Sequence, residues 1–155
     1  MEIPREIIGI HANEGDFTLS VIAINEGTPE SIKLGGVTAD INIQIHVDGI
    51  KADFRCLITV GNLYAFYSDL HDKYEHLNGE AVLKDHSGEL TRIVFGFDKT
   101  GKCTICGHVY NGAYSGNKVG FRLTCDQTYI NPIIRSLKLL FDEFAELQGY
   151  YDFHY

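Results

Sequence analysis

The chain has 155 residues, 45% of them apolar and 22% charged, with only 3 prolines. Such a chain can bury a hydrophobic core, and its composition argues against long disordered segments. The formal charge of −8 argues against direct binding to nucleic acid, which requires a basic face. Most of the excess acid lies in residues 1–50 and 126–155, and such a field would attract a basic protein partner. Solubility is the simpler explanation of the same charge.

The sequence shows no targeting or membrane segment. No apolar run approaches the roughly 20 residues that cross a bilayer. The N-terminal Met-Glu-Ile-Pro-Arg-Glu lacks the basic segment and apolar block of a signal peptide. Four cysteines without such a signal favour reduced thiols in a cytosol. We therefore expect a cytoplasmic protein.

The first half of the chain predicts strands joined by short turns. Strands are expected over 3–11, 16–25, 41–47 and 50–60, with a loop over 26–37. The third is the clearest, because Ile41, Ile43, Ile45 and Val47 alternate with polar residues, as in a strand with one buried face. Asp48-Gly49 then predicts a two-residue hairpin turn that needs positive φ at both positions.

Two amphipathic helices are predicted. The first runs from about Leu63 to Leu77, after a break at Gly61-Asn62, and Asn78-Gly79 would close it as a left-handed cap. The second begins at Asn131-Pro132, with Asn131 as the N-cap and Pro132 at the first helical position. Both helices present a stripe of apolar residues that could pack on a sheet.

A hairpin over residues 89–110 lies between the two helices. Asp98-Lys-Thr-Gly101 predicts a turn closed by a left-handed glycine, with the Asp98 side chain accepting hydrogen bonds from backbone N–H groups ahead of it. A short strand at 81–84 precedes the hairpin, and a loop over 111–117 and a strand over 119–125 follow it. Because hairpins dominate, we predict an α+β fold: one domain over 1–155, with a sandwich-like antiparallel β-sheet of about seven or eight strands and two packed helices.

The residues show no catalytic or metal constellation. Cys103 and Cys106, with His108 nearby, have a metal-like spacing. They lie in a predicted strand, however, where an offset of three residues points the two sulfurs to opposite faces. His71 and His76 lie beside carboxylates on the first helix and fit a solvated helix face better than a catalytic pair. We therefore predict no metal, no cofactor, no catalytic residues and no enzyme activity.

Residues 39–147 resemble a known family through the order of their elements. The matching features are the strand pair 41–60 leading into helix 63–77, Asn78-Gly79-Glu80 before a short strand, the hairpin turn at 98–101, strand 119–125 and the final helix ending Leu139-Leu-Phe-Asp-Glu-Phe144. This order is similar to that of bacterial immunity proteins of polymorphic-toxin and contact-dependent inhibition systems, particularly the WapI-type group and a related uncharacterised group. The resemblance implies a non-enzymatic inhibitor that binds the C-terminal toxin domain of a larger secreted protein, often a nuclease, and blocks its active site.

Charge and expected exposure suggest which residues would contact a toxin. The candidates are Asp69, Asp72 and Glu75 on the first helix and Asp142, Glu143 and Glu146 on the second. We expect a monomer or weak homodimer that binds neither nucleic acid nor membrane. One alternative is a small-ligand or carbohydrate-binding β-domain that uses Tyr110, Tyr114 and the glycine-rich loop. Another is an enzyme whose site the sequence does not reveal.

Overall fold

The computed structural model describes residues 3–25, 37–85, 91–110 and 116–143. Several predictions lie outside these residues. They concern most of the loops at 26–37 and 111–117, Tyr114, Glu146 and the aromatic tail over 150–155.

The described strands form two antiparallel sheets of four strands each. The first sheet contains β1 (Arg5–Ala12), β2 (Gly15–Ile24), β3 (Thr38–Val47) and β4 (Ile50–Thr59) in that spatial order. The second contains β5 (Gly79–Lys84), β6 (Thr91–Phe97), β7 (Lys102–Tyr110) and β8 (Lys118–Asp126), also in chain order. Helices α1 (Val60–His76) and α2 (Ile130–Glu143) complete an α+β, sandwich-like fold. The predicted fold class is confirmed.

Aromatic rings connect the inner faces of the two sheets. On β3, Ile41, Ile43 and Ile45 are buried, as their alternation predicts. Phe17 of β2 stacks on Phe121 of β8 with ring centroids 5.5 Å apart. Burial of such large rings on both inner faces supplies much of the hydrophobic stabilisation.

Both predicted hairpin turns are confirmed. Asp48 and Gly49 have φ of 53° and 77°, as a two-residue turn requires. The Asp98 carboxylate accepts hydrogen bonds from the backbone N–H groups of Thr100 at 2.8 Å and Lys102 at 3.2 Å. Gly101 closes this turn with φ of 85°. The hydrogen bond from the Thr100 side chain, followed by the one from the Lys102 backbone, lowers the pKa of Asp98.

Helix α1 begins earlier than predicted. Thr59 is its N-cap, and the Thr59 hydroxyl accepts a hydrogen bond from the backbone N–H of Asn62 at 3.2 Å. Gly61 and Asn62 therefore belong to the first helical turn and do not break the strand. The Asn62 side chain also donates to the carbonyl of Lys84 at 3.1 Å, which ties the start of α1 to the end of β5. A cap and a tertiary hydrogen bond together outweigh the low helix propensity of these residues.

The predicted left-handed cap of α1 is displaced. Leu77, with φ of 47° and ψ of 44°, is the residue that caps the helix, two positions before the expected Gly79, which also has a positive φ of 90°. The backbone N–H of Asn78 reaches back to the carbonyl of Lys73 at 3.3 Å, and this bond requires the residue before it to reverse the chain.

The start of α2 also differs from the prediction. A 3₁₀ turn over Gln127–Tyr129 precedes the helix, and the Asp126 carboxylate accepts from the backbone N–H of Thr128 at 2.9 Å. Asn131 and Pro132 are therefore inside the helix, which begins at Ile130. Pro132 is tolerated because first-turn N–H groups have no acceptor within the helix.

Candidate partner-binding surface

The structure places the predicted acidic residues of the first helix on one exposed surface. Asp69, Asp72 and Glu75 are all exposed on α1. Positions three and six residues apart lie within about a third of the helix circumference. This stretch of α1 is therefore a contiguous acidic face, as the sequence predicts.

Basic neighbours partly offset this acidic face. The Lys73 ammonium lies 3.1 Å from the Asp72 carboxylate, and His76 lies 3.5 Å from it. The hydrogen bond from Lys73, with the charge of the same ammonium, lowers the pKa of Asp72. Glu75 pairs with His71 at 3.6 Å. A net negative charge remains, because three carboxylates face a single lysine.

The negative charge of the acidic residues on the second helix is more fully balanced by nearby cations. Asp142 accepts a hydrogen bond from Lys138 at 2.8 Å, and Glu143 lies 3.7 Å from Arg5 of β1. Arg135, another exposed cation, lies about two helical turns before them. The described part of α2 thus carries as much positive as negative charge, and Glu146 lies outside the described residues.

The two helices are in direct contact through aromatic side chains. Phe141 of α2 packs against Tyr64 and Tyr67 of α1, with ring centroids 5.1 Å and 5.4 Å away. On its other side, α1 sends Phe66 onto Phe95 of β6 at 5.2 Å. The acidic face of α1 is therefore held on a rigid, well-packed element.

A basic surface lies on the outer face of the second sheet, where sequence reasoning did not expect one. Lys84, Arg92, Lys118 and Arg122 are all exposed there. Among the described residues, none of the four has a carboxylate within ion-pair distance. Part of this basic surface could be predicted from the sequence of strand β8, where Lys118 and Arg122 share a face. A sum of charge along the chain does not reveal such a pair, whereas a sum over the residues of one strand face does.

The outer face of the first sheet carries a groove of about 400 Å³ whose lining residues are mostly of polar or charged types. Asp16 lies 3.0 Å from His11 and 3.7 Å from His46, and Gln44 donates to Asp53 at 3.3 Å. Acids and bases alternate across this groove, so it has no strong net charge. No serine or cysteine nucleophile is among the residues that line it, which are His11, Asp16, Thr18, Gln44, Ile45, His46, Lys51, Ala52 and Asp53.

The cysteines are separated as strand geometry predicts. Cys103 is buried and faces Cys125 across β7 and β8, whereas Cys106 and His108 are half-buried. The hydrogen bond to Cys125, together with burial, raises the pKa of the Cys103 thiol, and the same bond lowers the pKa of Cys125. Within 3–25, 37–85, 91–110 and 116–143, no group of three His, Cys, Asp or Glu side chains is placed to hold a metal ion.

Two further predictions concern ligands and membranes. Tyr110, a candidate for ligand binding, is half-buried, with the Lys118 ammonium 5.5 Å from its ring centroid; its proposed companion Tyr114 lies outside the described residues. In the described part of the chain, neither helix combines the length and the apolar character needed to cross a bilayer.

Comparison with protein families identifies the chain. The model of the immunity protein WapI-like family matches residues 8–145. The chain belongs to this family. The match covers both helices and both sheets apart from the first three residues of β1, and it confirms the predicted WapI-like resemblance. No curated protein and no solved structure gives a significant match to the chain.

Proposed function

We propose that this WapI-like protein neutralises a cognate bacterial toxin domain by binding it and blocking its active site. The observation that carries the proposal is the family match over residues 8–145. The toxin would be the C-terminal domain of a larger secreted protein, and a nuclease is the class that best suits an acidic inhibitor. The protein acts stoichiometrically in the cytoplasm, as one binding domain over 1–155, without catalysis or cofactor.

The acidic face of α1 is the proposed site of first contact. Asp69, Asp72 and Glu75 are exposed on a helix that is packed against the core, so their positions are preorganised. A nuclease groove that binds phosphates is basic and would be attracted to this face. Asp142, Glu143 and Glu146 remain secondary candidates, because Lys138 and Arg5 offset the first two.

The proposal is tested with the toxin domain encoded beside the gene of this chain. Co-expression with that domain should restore growth of a sensitive bacterium, and calorimetry on the purified pair should show one-to-one binding. Growth arrest despite good expression of the immunity protein, together with no detectable complex, would overturn the proposal.

Charge variants locate the contact. Asp69→Asn with Glu75→Gln should slow association by about three- to tenfold at low salt, and less at high salt. The matched control is Asp48→Asn with Asp53→Asn, which removes the same charge from two exposed positions of the β3–β4 hairpin. Equal slowing by both pairs would show a net-charge effect and exclude α1 as the contact.

A further inference from the structure

The strand register brings four cations together on the second sheet. Lys84 lies opposite Arg92, and Arg92 shares a row with Gly120 of β8. Lys118 and Arg122 flank that glycine, two residues away on each side. With strands about 4.8 Å apart and a rise of about 3.4 Å per residue, all four Cα atoms lie within about 16 Å of one another.

The middle of this outer face is apolar. Val82, Val94 and Cys106 lie side by side in register, and all three are half-buried. Tyr110, half-buried beneath Lys118, extends the apolar surface along β7. An apolar centre surrounded by charged side chains is the usual anatomy of a protein–protein contact, and Tyr and Arg are the residue types that most often dominate its binding energy.

Protection of sheet edges does not account for all four cations. Lys84 lies on the edge strand β5, and Lys118 and Arg122 lie on the edge strand β8, where a positive charge discourages aggregation. Arg92, however, lies on β6, an interior strand with a neighbour on each side. Acid is sparse on this face: on its described outer rows the carboxylates are Glu80 of β5 and Asp126 of β8, and Asp126 lies opposite Lys102 of β7.

The chemistry of the face favours carboxylates over nucleic acid. The chain as a whole carries a charge of −8, so its long-range field repels a polyanion such as DNA or RNA. At short range, the guanidinium groups of Arg92 and Arg122 can each hold a carboxylate through two hydrogen bonds. Neither Arg92 nor Arg122 forms an ion pair with another described residue, so binding a carboxylate of a partner would not require such a pair to break.

The basic face and the acidic face of α1 meet along β5. The Asn62 side chain at the start of α1 donates to the Lys84 carbonyl at one end of β5. At the other end, the Lys73 side chain of α1 lies against Gly79, about 3.0 Å from where a Cβ would be. The helix thus runs beside β5, and a partner that reaches over β5 can touch both faces.

On this geometry we propose that the outer face of the second sheet is a second contact surface for the same toxin domain and binds an acidic, carboxylate-bearing part of it. This inference rests on the proposed function. The acidic face of α1 attracts the basic groove of the toxin, and the basic face of the sheet holds the carboxylates beside that groove. Opposite charges on the two faces set the orientation of the complex.

The test compares two matched double variants of the full chain. Lys118→Glu with Arg122→Glu changes an edge strand of the second sheet, and Lys51→Glu with Arg55→Glu makes the same change four residues apart on β4, an edge strand of the first sheet. Unfolding curves confirm that both variants fold. For the toxin domain encoded beside the gene, the β8 variant should raise the Kd by about 30-fold or more, and the β4 variant by less than about threefold.

The other possible outcomes contradict either the second contact surface or the proposed function. If the wild-type chain binds the toxin domain but both variants bind equally well or equally poorly, the second contact surface is excluded while the proposed function stands. If the wild-type chain binds no toxin domain, the proposed function itself fails. A fluorescent single-stranded oligonucleotide is titrated in parallel at physiological ionic strength. Binding of that oligonucleotide by the wild-type chain, lost in the β8 variant, would assign the face to nucleic acid and overturn the inference.

Discussion

Phe17 of β2 and Phe95 of β6 meet edge to face, with ring centroids 6.3 Å apart, and this contact joins the two sheets. Both side chains are fully buried, and Phe66 of α1 packs on Phe95 from the helix side at 5.2 Å. Phe95 is therefore the side chain on which both sheets and the first helix converge.

Truncation of Phe95 should cost more stability than truncation at the surface. Phe95→Ala removes contacts to a sheet and a helix at once and leaves a cavity, so we expect a loss of about 3–5 kcal/mol. Leu57→Ala, at a side chain that is 56% exposed, should change stability by less than about 0.5 kcal/mol. Urea unfolding followed by circular dichroism measures both. Similar losses for the two variants would show that the sheets are not joined at Phe95.

The hydrogen bond at the N-cap of α1 leads to a second prediction. Thr59→Ala removes the hydroxyl that accepts the Asn62 N–H and should destabilise the protein by about 1 kcal/mol. Thr59→Ser keeps the hydroxyl and should retain most of the stability. Thermal or urea unfolding of the three proteins provides the measurement. Equal destabilisation by Ser and Ala would assign the effect to the lost methyl group instead of the cap.

Gly107 should be far less tolerant of a side chain than Gly120. A Cβ on Gly107 would collide with the carbonyl group of Arg92 on the neighbouring strand, whereas a Cβ on Gly120 has its nearest contact at 3.8 Å. Gly107→Ala should therefore cost about 1–3 kcal/mol or more, because the backbone of β6 must move. Gly120→Ala should be close to neutral. Denaturation midpoints of both variants check the prediction, which fails if Gly107→Ala is as stable as the wild type.

The raised pKa of the Cys56 thiol leads us to expect that the protein loses stability at high pH. Burial raises the pKa of Cys56 from 9.0 to about 11. The folded state therefore holds this proton more tightly than the unfolded state. Its stabilising effect is complete below about pH 9 and is lost as the pH rises to about 11, with a magnitude of up to about 2 kcal/mol.

Urea unfolding between pH 8 and about 11 measures this loss. The wild-type protein should lose stability relative to Cys56→Ala over that range. Leu57→Ala, which changes an exposed neighbour on the same strand, should follow the wild type. Parallel curves for wild type and Cys56→Ala would contradict the prediction.

Local patterns in the sequence were enough to predict most of the secondary structure. The alternation over Ile41–Val47 and the Asp48-Gly49 turn act within a few residues, so spacing alone indicates a strand and a hairpin. The ends of the helices were less predictable. Asn62 and Asn131 look like helix breakers or caps by residue type, but their positions depend on hydrogen bonds to Thr59 and on the 3₁₀ turn before Ile130.

The two candidate surfaces also differ in how far the sequence could predict them. The acidic face of α1 was predictable because Asp69, Asp72 and Glu75 are neighbours on one helix. The basic face was not, because Lys84, Arg92, Lys118 and Arg122 come from three strands whose register decides whether they meet.

The sequence by itself therefore determined the strands, the turns, the two amphipathic helices and the family to which the chain belongs. The strands, turns and helices follow from the spacing of residues close together in the chain, and the family follows from the order of those elements along it. Only the tertiary structure decided how positive and negative charges are distributed over the surface. It places Arg5 beside Glu143, which offsets part of the acid of α2. It also gathers on one sheet four cations that form no ion pair with another described residue, in a chain with a charge of −8. Charge at a surface depends on which distant segments are brought together, and strand pairing and core packing decide that.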